Sequence, residues 1–375
     1  MRRIFILLIL SGLISCNEPY NFNIKNKRKG IVVEALVSNR SFMESLQIPS
    51  DGRYFSVILR ETSDVDNVRD AKISNAKITL KNKAGDSWRY TEVPMNPGTY
   101  ELQNDFFRVE SGEAYQMEIT LNTDEKFQST WEKMPESVNR FGDLHIKETS
   151  RQEYSFSTGE RRIVETEGID LSIDIDRNDS GDSRFFLWEY EPFFTYKAGL
   201  LPSDSPNKNC WVSSDEFFTE REVLEDKNGG YQKKLLYMVT KTNQKLYDYF
   251  SIVIHQYAIS ESYFNYWQDL KAQKERGGLF DQPPFNMPTN ITAVNNDWST
   301  NGYFAVTSEE FSRWEFDKSQ LSYPLIDDIE YFCRLYIFDT DPEGLDVCLD
   351  CRAFPNGKAL NYPPEWWKAK FGNRP

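Results

Sequence analysis

The five cysteines are the residues of this 375-residue sequence best suited to covalent chemistry. Cys16 follows Leu-Ile-Ser near the N-terminus, whereas Cys210, Cys333, Cys348 and Cys351 lie in the second half of the chain. An even number of cysteines in an exported protein predicts two disulfides. Four cysteines allow three pairings, and the sequence does not choose among them.

The spacing Cys348-Leu-Asp-Cys351 also occurs in redox and zinc motifs. A redox site of this type requires alternating strands and helices around the cysteine pair, and the sequence shows no such pattern there. His145 and His255 are the only histidines, and neither is near the pair in sequence. A structural disulfide role is therefore favoured for these cysteines.

One acidic turn resembles the start of a calcium-binding loop. Its candidate ligands are Asp176, Asn178, Ser180 and Asp182. The twelfth position of the loop is Leu187, where calcium loops of this kind carry a bidentate glutamate. We therefore expect a solvated hairpin turn between strands, with calcium as the metal to test at this site.

Three tryptophans, Trp211, Trp366 and Trp367, are candidates for binding a carbohydrate or a peptide. For the adjacent pair Trp366 and Trp367 in the C-terminal tail, packing against their own domain is the favoured role. His255 lies in a strand pattern among aromatic residues and has no serine or cysteine nucleophile in a recognisable local motif. For His255 the sequence favours a packing role.

The N-terminus has the order of a secretory signal peptide: a basic start, an apolar run from Ile4 to Leu10, and small residues before Cys16. A cysteine at that place resembles the lipobox of bacterial lipoproteins. We expect residues 1–15 to be cleaved and Cys16 to be acylated on its sulfur and its new amino group. Residues 16–29 then form the anchor and a polar linker of up to about 45 Å.

Composition limits the partners. The chain carries a net charge of −14, which disfavours binding to nucleic acid or lying flat on anionic lipid. No apolar stretch after the leader approaches the length of a membrane helix. Aromatic residues make up 15% of the chain, which predicts an aromatic, β-rich core.

Residues 30–135 predict an immunoglobulin-like β-sandwich. Short alternating runs such as Ile31–Val37, Ala76–Lys81 and Ala114–Leu121 are separated by turn residues over about 105 positions. A proline and polar residues at Lys133–Ser137 indicate a boundary between domains.

Residues 136–375 predict a larger β-rich domain. Residues 139–165 are charged and weakly periodic, which indicates a long hairpin or a surface excursion. The run Tyr331–Phe338 predicts a late strand. The clear helix is 261–276, where Tyr263, Phe264, Trp267 and Leu270 form one apolar stripe behind the N-cap Ser260. We expect this helix to dock on a sheet.

The runs Glu261–Lys271, Gly278–Pro284, Gly302–Phe304 and Cys348–Arg352 together resemble the outer-membrane lipoproteins of Bacteroidota that carry domain of unknown function 4249. The resemblance extends over the whole predicted mature chain. It departs from the family at Pro355-Asn356-Gly357, where Gly-Gly is usual. The family is without assigned catalytic residues, so none are transferred.

The resemblance implies a lipid-anchored, non-enzymatic protein of the outer membrane, displayed on the cell surface. It also implies an accessory subunit of a β-barrel complex, with a TonB-dependent receptor as the leading partner and ligand capture or a lid as the role. A barrel-assembly subunit and a stand-alone glycan- or peptide-binding lipoprotein remain alternatives, and outward and periplasmic display both stay open. A surface hydrolase would require a cleft with two convergent carboxylates of raised pKa.

Overall fold

The computed structural model describes residues 29–48, 50–62, 71–137, 139–157, 160–214, 216–217, 221–241, 243–275, 287–336, 343–355 and 357–372. The predicted signal peptide, Cys16 and the linker up to residue 28 lie outside these ranges. Within them, no helix has the length and apolar character needed to cross a membrane.

The described chain is mainly β, as the sequence predicts. Its strands are β1 Gly30–Ser38, β2 Ser56–Glu61, β3 Lys77–Asn82, β4 Ser87–Arg89, β5 Thr91–Glu92, β6 Thr99–Glu101, β7 Ala114–Thr120, β8 Lys126–Ser129, β9 Glu132–Lys133, β10 Leu144–Ser157, β11 Glu160–Ile175, β12 Arg184–Lys197, β13 Asn209–Ser214, β14 Glu222–Asp226, β15 Tyr231–Val239, β16 Phe250–Ala258, β17 Ile291–Ala293, β18 Ser299–Glu315 and β19 Gly357–Leu360. Its α-helices are α1 Phe42–Ser45, α2 Glu261–Glu275, α3 Ile329–Tyr336, α4 Glu343–Leu349 and α5 Glu365–Phe371.

A ten-stranded sheet is the spine of the molecule. Its order is β19-β13-β12-β16-β18-β1-β2-β6-β5, with β14 also paired to β12. The sheet contains strands from both sides of residue 135. The long strand β18 makes this possible, because its first half pairs in parallel with β1 and its second half pairs antiparallel with β16.

Two smaller sheets cover one face of the spine. The six-stranded sheet, β17-β8-β7-β3-β4 with β9, shares a core with β1 and β2 that includes Val33, Leu59, Leu80 and Met117. This pairing of sheets is the sandwich-like part of the fold. The three-stranded sheet β10-β11-β15 shares a second core with β12 and β16.

The predicted boundary at 135/136 does not interrupt the spine or the first core. Ile291, Phe304 and Val306, from far beyond that boundary, are buried with the N-terminal strands. Gly302 of β18 lies very close to β1: it has φ +87°, and a Cβ atom there would lie 2.0 Å from the Val33 carbonyl oxygen. Only glycine combines that backbone conformation with so close a contact.

The predicted helix at 261–276 is confirmed as α2, with the Ser260 hydroxyl accepting a hydrogen bond from the Tyr263 amide. It is not alone, since the described chain contains four other α-helices. The strand predicted at Tyr331–Phe338 is wrong, because residues 329–336 form α3. Ile329 and Cys333 are buried one helical turn apart, so tertiary contacts override the β propensity of this aromatic run.

The segment predicted as a long hairpin at 139–165 is confirmed by the pairing of β10 with β11. The hairpin predicted around the acidic turn at 176–182 is wrong, because β11 and β12 belong to different sheets. The turn is instead a crossover between sheets. The Arg184 guanidinium holds it by donating to the Asp176 carbonyl at 2.7 Å.

Two disulfides are present, as the cysteine count predicts. Cys210 pairs with Cys351 and joins β13 to the C-terminal segment, while Cys333 pairs with Cys348 and joins α3 to α4. The pair Cys348 and Cys351 therefore does not close on itself but supplies one sulfur to each bridge.

Candidate functional site

The face of the spine opposite the two smaller sheets carries helix α2 and a set of polar residues. In strands β12, β16 and β18, successive side chains point to opposite faces. Trp188 and Ile254 face the second core, whereas Glu189, His255 and Glu309 face the other way. Ile252 and Ile254, at alternate positions of β16, are both buried in the second core.

Glu309 is the centre of this polar cluster and is almost completely buried. One carboxylate oxygen accepts from the Arg53 guanidinium at 3.0 Å and from His255 Nδ1 at 2.7 Å. The other oxygen accepts from the Ser38 hydroxyl at the end of β1. A buried carboxylate is tolerated only when its oxygens are satisfied in this way.

Arg53 connects the N-terminal region to the three strands of the second half. Its Nη2 donates to Glu309 and to the Tyr257 hydroxyl. Its Nη1 lies 3.7 Å from one oxygen of Glu189 and 3.7 Å from one oxygen of Glu191. A single guanidinium thus contacts groups on β12, β16 and β18.

The cluster holds its members in their charged forms. Burial alone would lower the pKa of His255, and so would Arg53, but the carboxylates of Glu191 and Glu309 raise it to about 8. The Glu191 carboxyl lies beside the network, where loss of water would raise its pKa, yet His255 and Arg53 lower that pKa to about 2. Burial would likewise raise the pKa of Glu309, and Arg53 with His255 holds it below its usual value. The result is an ionised network that closely balances its own charges.

A cleft of about 310 Å³ opens above this network. Its walls come from β1, β2, the middle of β12, β18 and helix α2. Its aromatic lining is Tyr54, Phe55, Tyr263, Tyr266, Trp267 and Tyr303. Helix α2 is placed by its apolar stripe: the Phe264 ring lies 5.0 Å from Phe185, and Tyr263 lies 4.9 Å from Tyr303. The charged lining residues are Glu34, Arg53, Glu189, Glu191 and Arg221.

Arg221 orders the inner wall of the cleft. Its Nε donates to Glu189 at 2.7 Å, and its guanidinium lies over the Trp267 ring at 4.6 Å. The Glu189 carboxylate therefore lies between two arginines, Arg53 and Arg221. Glu191, by contrast, has a side chain that is 46% exposed and lies 3.2 Å from His255 Nε2.

The arrangement suits binding better than acid–base catalysis. Glu189 and Glu191 both line one cleft, as the two carboxylates of a glycoside hydrolase do. A general acid needs a raised pKa, however, and cationic neighbours lower that of Glu191. Both ring nitrogens of His255 face carboxylates, so the histidine is not positioned to activate a hydroxyl or thiol.

The tryptophans predicted as ligand contacts do not form an open platform. Trp211 and Trp367 are buried with Phe193 in a small cluster, with the two indole rings 6.2 Å apart. Trp366 is half-buried and is covered by the Arg313 guanidinium at 4.3 Å. These residues fix helix α5 to β12 and β13, which agrees with the packing alternative.

The side chains of Asp176, Asn178 and Ser180, three of the four candidate calcium ligands, contact protein groups. The Asp176 carboxylate lies 3.1 Å from an Arg140 nitrogen, and the Asn178 amide donates to the Asp182 carbonyl at 2.8 Å. The Ser180 hydroxyl donates to the side-chain oxygen Oδ1 of Asn178 at 2.9 Å. Among the described residues, no three His, Cys, Asp or Glu side chains are grouped so as to hold a metal ion.

The sequence reasoning missed Arg53, Glu189, Glu191 and Glu309 as site residues. One signal was present in Trp188-Glu189-Tyr190-Glu191, where acids alternate with aromatics inside a strand that is otherwise apolar. Acidic residues at alternate positions of a central strand share one face and need partners there. The partners themselves are distant, since Arg53 and Glu309 are 256 positions apart.

The family described as Domain of unknown function (DUF4249) matches residues 17–313. No curated protein and no solved structure matches the chain.

Proposed function

Because the chain belongs to the DUF4249 family, we propose that it is a non-enzymatic, lipid-anchored protein of the outer membrane that captures a ligand for a β-barrel partner. A TonB-dependent receptor is the leading partner, and the cell surface is the proposed location. The observation that carries the capture role is the cleft between α2 and the spine, lined by aromatic rings and by paired charges.

The proposed anchor rests on the N-terminal sequence. The basic start, the apolar run and the small residues before Cys16 fit a leader that ends at a lipidated cysteine. Strand β1 begins at Gly30, so about a dozen residues lie between it and the proposed anchor at Cys16. Such a linker gives the cleft room to approach a neighbouring barrel.

The anchor and the location are tested in cells with the native leader. We expect wild-type chain to incorporate labelled palmitate, to fractionate with outer membranes and to be cleaved by protease added to intact cells. The variant Cys16→Ser is the matched control and should lose the label and the membrane association. Wild-type chain that takes up no label, or that fractionates with the periplasm, contradicts the proposal.

A second candidate is a structural subunit of a barrel-assembly complex. The protruding hairpin β10–β11 favours it, because beyond Gly168 the outer part of the hairpin has no third strand in the described sheet. Tyr154 and Ile163 face each other across that part and are 84% and 60% exposed. The identity of the barrel recovered with the chain distinguishes uptake from assembly.

A further inference from the structure

We propose that the cleft binds an uncharged sugar or polyol through two neighbouring hydroxyl groups, which bridge Arg53 to Glu189 and Glu191. The inference rests on the proposed ligand-capture function and names its ligand class. It follows from three features of the cleft: two gaps of equal length at one arginine nitrogen, the pairing of every lining charge, and the aromatic walls.

The gaps are the specific feature. Arg53 Nη1 lies 3.7 Å from a Glu189 oxygen and 3.7 Å from a Glu191 oxygen. Direct hydrogen bonds between such groups span about 2.7–3.2 Å. Separations above about 3.5 Å between a donor and an acceptor are commonly bridged by water or by a hydroxyl group. Here one nitrogen, which carries two N–H groups, has two such gaps, one to each glutamate.

A hydroxyl group is suited to each gap because it both accepts and donates. It accepts a hydrogen bond from Nη1 and donates its own proton to the carboxylate. Glu189 and Glu191 lie on the same face of β12, and both gaps begin at Arg53 Nη1. The two hydroxyl groups that fill the gaps must therefore be close together. Hydroxyls on adjacent carbon atoms meet this requirement, as in the ring of a hexose.

The charges of the cleft disfavour an ionic ligand. Each charged lining residue is already near an opposite charge: Glu34 lies 2.9 Å from Arg60, Glu189 2.7 Å from Arg221, and Arg53 3.0 Å from Glu309. Glu191 lies 3.2 Å from His255. A ligand carboxylate would meet the glutamates, and a ligand ammonium would meet the arginines. An uncharged ligand avoids both costs.

The aromatic walls of the cleft suit the same ligand as its polar floor, which is formed by Arg53, Glu189 and Glu191. Tyr263, Tyr266, Trp267 and Tyr303 line the side formed by α2 and β18. Aromatic surfaces bury the C–H groups of a sugar ring, while its hydroxyls reach the polar floor. A volume of about 310 Å³ is at the small end for ligand sites, which limits the bound part to one or two sugar units.

Saturation-transfer NMR on the whole chain in mild detergent tests this proposal. The probes are the methyl glycosides of glucose, galactose and mannose, each with adjacent hydroxyls, beside glucuronate and glucosamine as charged counterparts. We expect at least one neutral glycoside to bind and the charged sugars to bind more weakly. The proposal is overturned if all three neutral glycosides fail, or if a charged sugar binds more tightly.

Variants tie the binding to this cleft. Glu191→Ala removes one bridge from a side chain that is 46% exposed, so the fold should survive, and we expect at least about a tenfold loss of affinity. Tyr266→Ala should also weaken binding. The control Glu110→Ala changes an exposed carboxylate outside the cleft lining and should have no effect. Unchanged binding by Glu191→Ala overturns the proposal, whereas recovery of a barrel partner is independent of this result.

Discussion

At the scale of single residues, the buried carboxylate of Glu309 organises the cluster below the cleft. It binds the Arg53 guanidinium, the His255 ring and the Ser38 hydroxyl, which come from three separate parts of the chain. Removing one member of a buried ionic network leaves the others uncompensated. Substitution of Glu309 should therefore lower the free energy of unfolding more than substitution of a surface carboxylate.

We predict that Glu309→Gln lowers the free energy of unfolding by about 3–5 kcal/mol, because Arg53 and His255 lose their buried counter-charge. Equilibrium unfolding in urea measures the change. The neighbouring Glu310→Gln is the control: its ion pair with Arg40 is half-exposed, so a loss below about 1 kcal/mol is expected. Equal effects of the two substitutions would contradict the central role of Glu309.

His255 should make stability depend on pH in the neutral range. The groups that face it are Glu191, Glu309, Arg53 and Tyr257, and the carboxylates raise its pKa to about 8 from 6.5. A raised pKa means that the folded state binds the proton more tightly. The stabilisation is therefore fully present below pH 6.5 and is lost as the pH rises through 8, with a size of about 2 kcal/mol.

Urea unfolding at several pH values between 6 and 9 measures this dependence. We predict that His255→Gln is less stable than wild type at pH 6 and that its stability changes less between pH 6.5 and 8. The control is His145→Gln, since His145 is a half-exposed residue paired with Asp174 at the surface. A wild-type stability that rises with pH across this range would contradict the assignment.

At the scale of elements, the parallel pairing of β1 with β18 is one of the contacts that join the two halves of the chain. Gly302 lies so close to β1 that a Cβ atom there would overlap the Val33 carbonyl group. A side chain at this position must push the two strands apart.

We predict that Gly302→Ala lowers the free energy of unfolding by at least about 3 kcal/mol, because it adds both a backbone clash and strain at φ +87°. Gly85→Ala is the matched control. Gly85 also has a positive φ, but a Cβ atom there meets nothing within 4 Å, so only the conformational cost of about 1–2 kcal/mol should remain. If Gly85→Ala loses as much stability as Gly302→Ala, the close approach of β1 and β18 is not the cause of the loss in Gly302→Ala.

The periodicity of the sequence predicts most strands and helix α2, because alternation and helical spacing are local properties. It fails at α3, where Tyr331 to Tyr336 favour a strand by propensity while a disulfide to α4 and the burial of Ile329 and Cys333 favour a helix. It also cannot assign sheet partners. Gly30 pairs with Ser299, and no local signal encodes a contact between residues so far apart in the chain.

At the scale of the whole molecule, the site was not predictable because local sequence patterns do not show which distant strands become neighbours. The cleft exists only when β1, β2, β12, β18 and α2 meet on one face of the spine. The residues that could be singled out from the sequence, such as Trp211 and Trp367, are notable for their type, yet the fold uses them for packing. Arg53 and the glutamates are common residue types whose importance comes from burial and proximity.

Because the ten-stranded sheet contains strands from both sides of residue 135, the N-terminal region should not fold when it is separated from the rest of the chain. A fragment of residues 30–135 lacks β17 and β18, and with them the parallel partner of β1 and three buried residues of its core. We predict that this fragment does not fold cooperatively, whereas residues 29–375 do, as measured by circular dichroism and urea unfolding. A cooperative transition of the short fragment would show that the N-terminal region is an independent domain.

The most direct test of the proposed function is a pull-down from outer membranes in mild detergent, using the full chain with its native leader and a C-terminal tag. We predict that one β-barrel protein co-purifies in a one-to-one ratio with wild-type chain and is lost with Cys16→Ser, because the anchor places the body beside its partner. A TonB-dependent receptor in that fraction supports uptake, and a barrel-assembly protein supports the structural alternative. Recovery of the wild-type chain alone, from membranes in which it is abundant, would contradict the account.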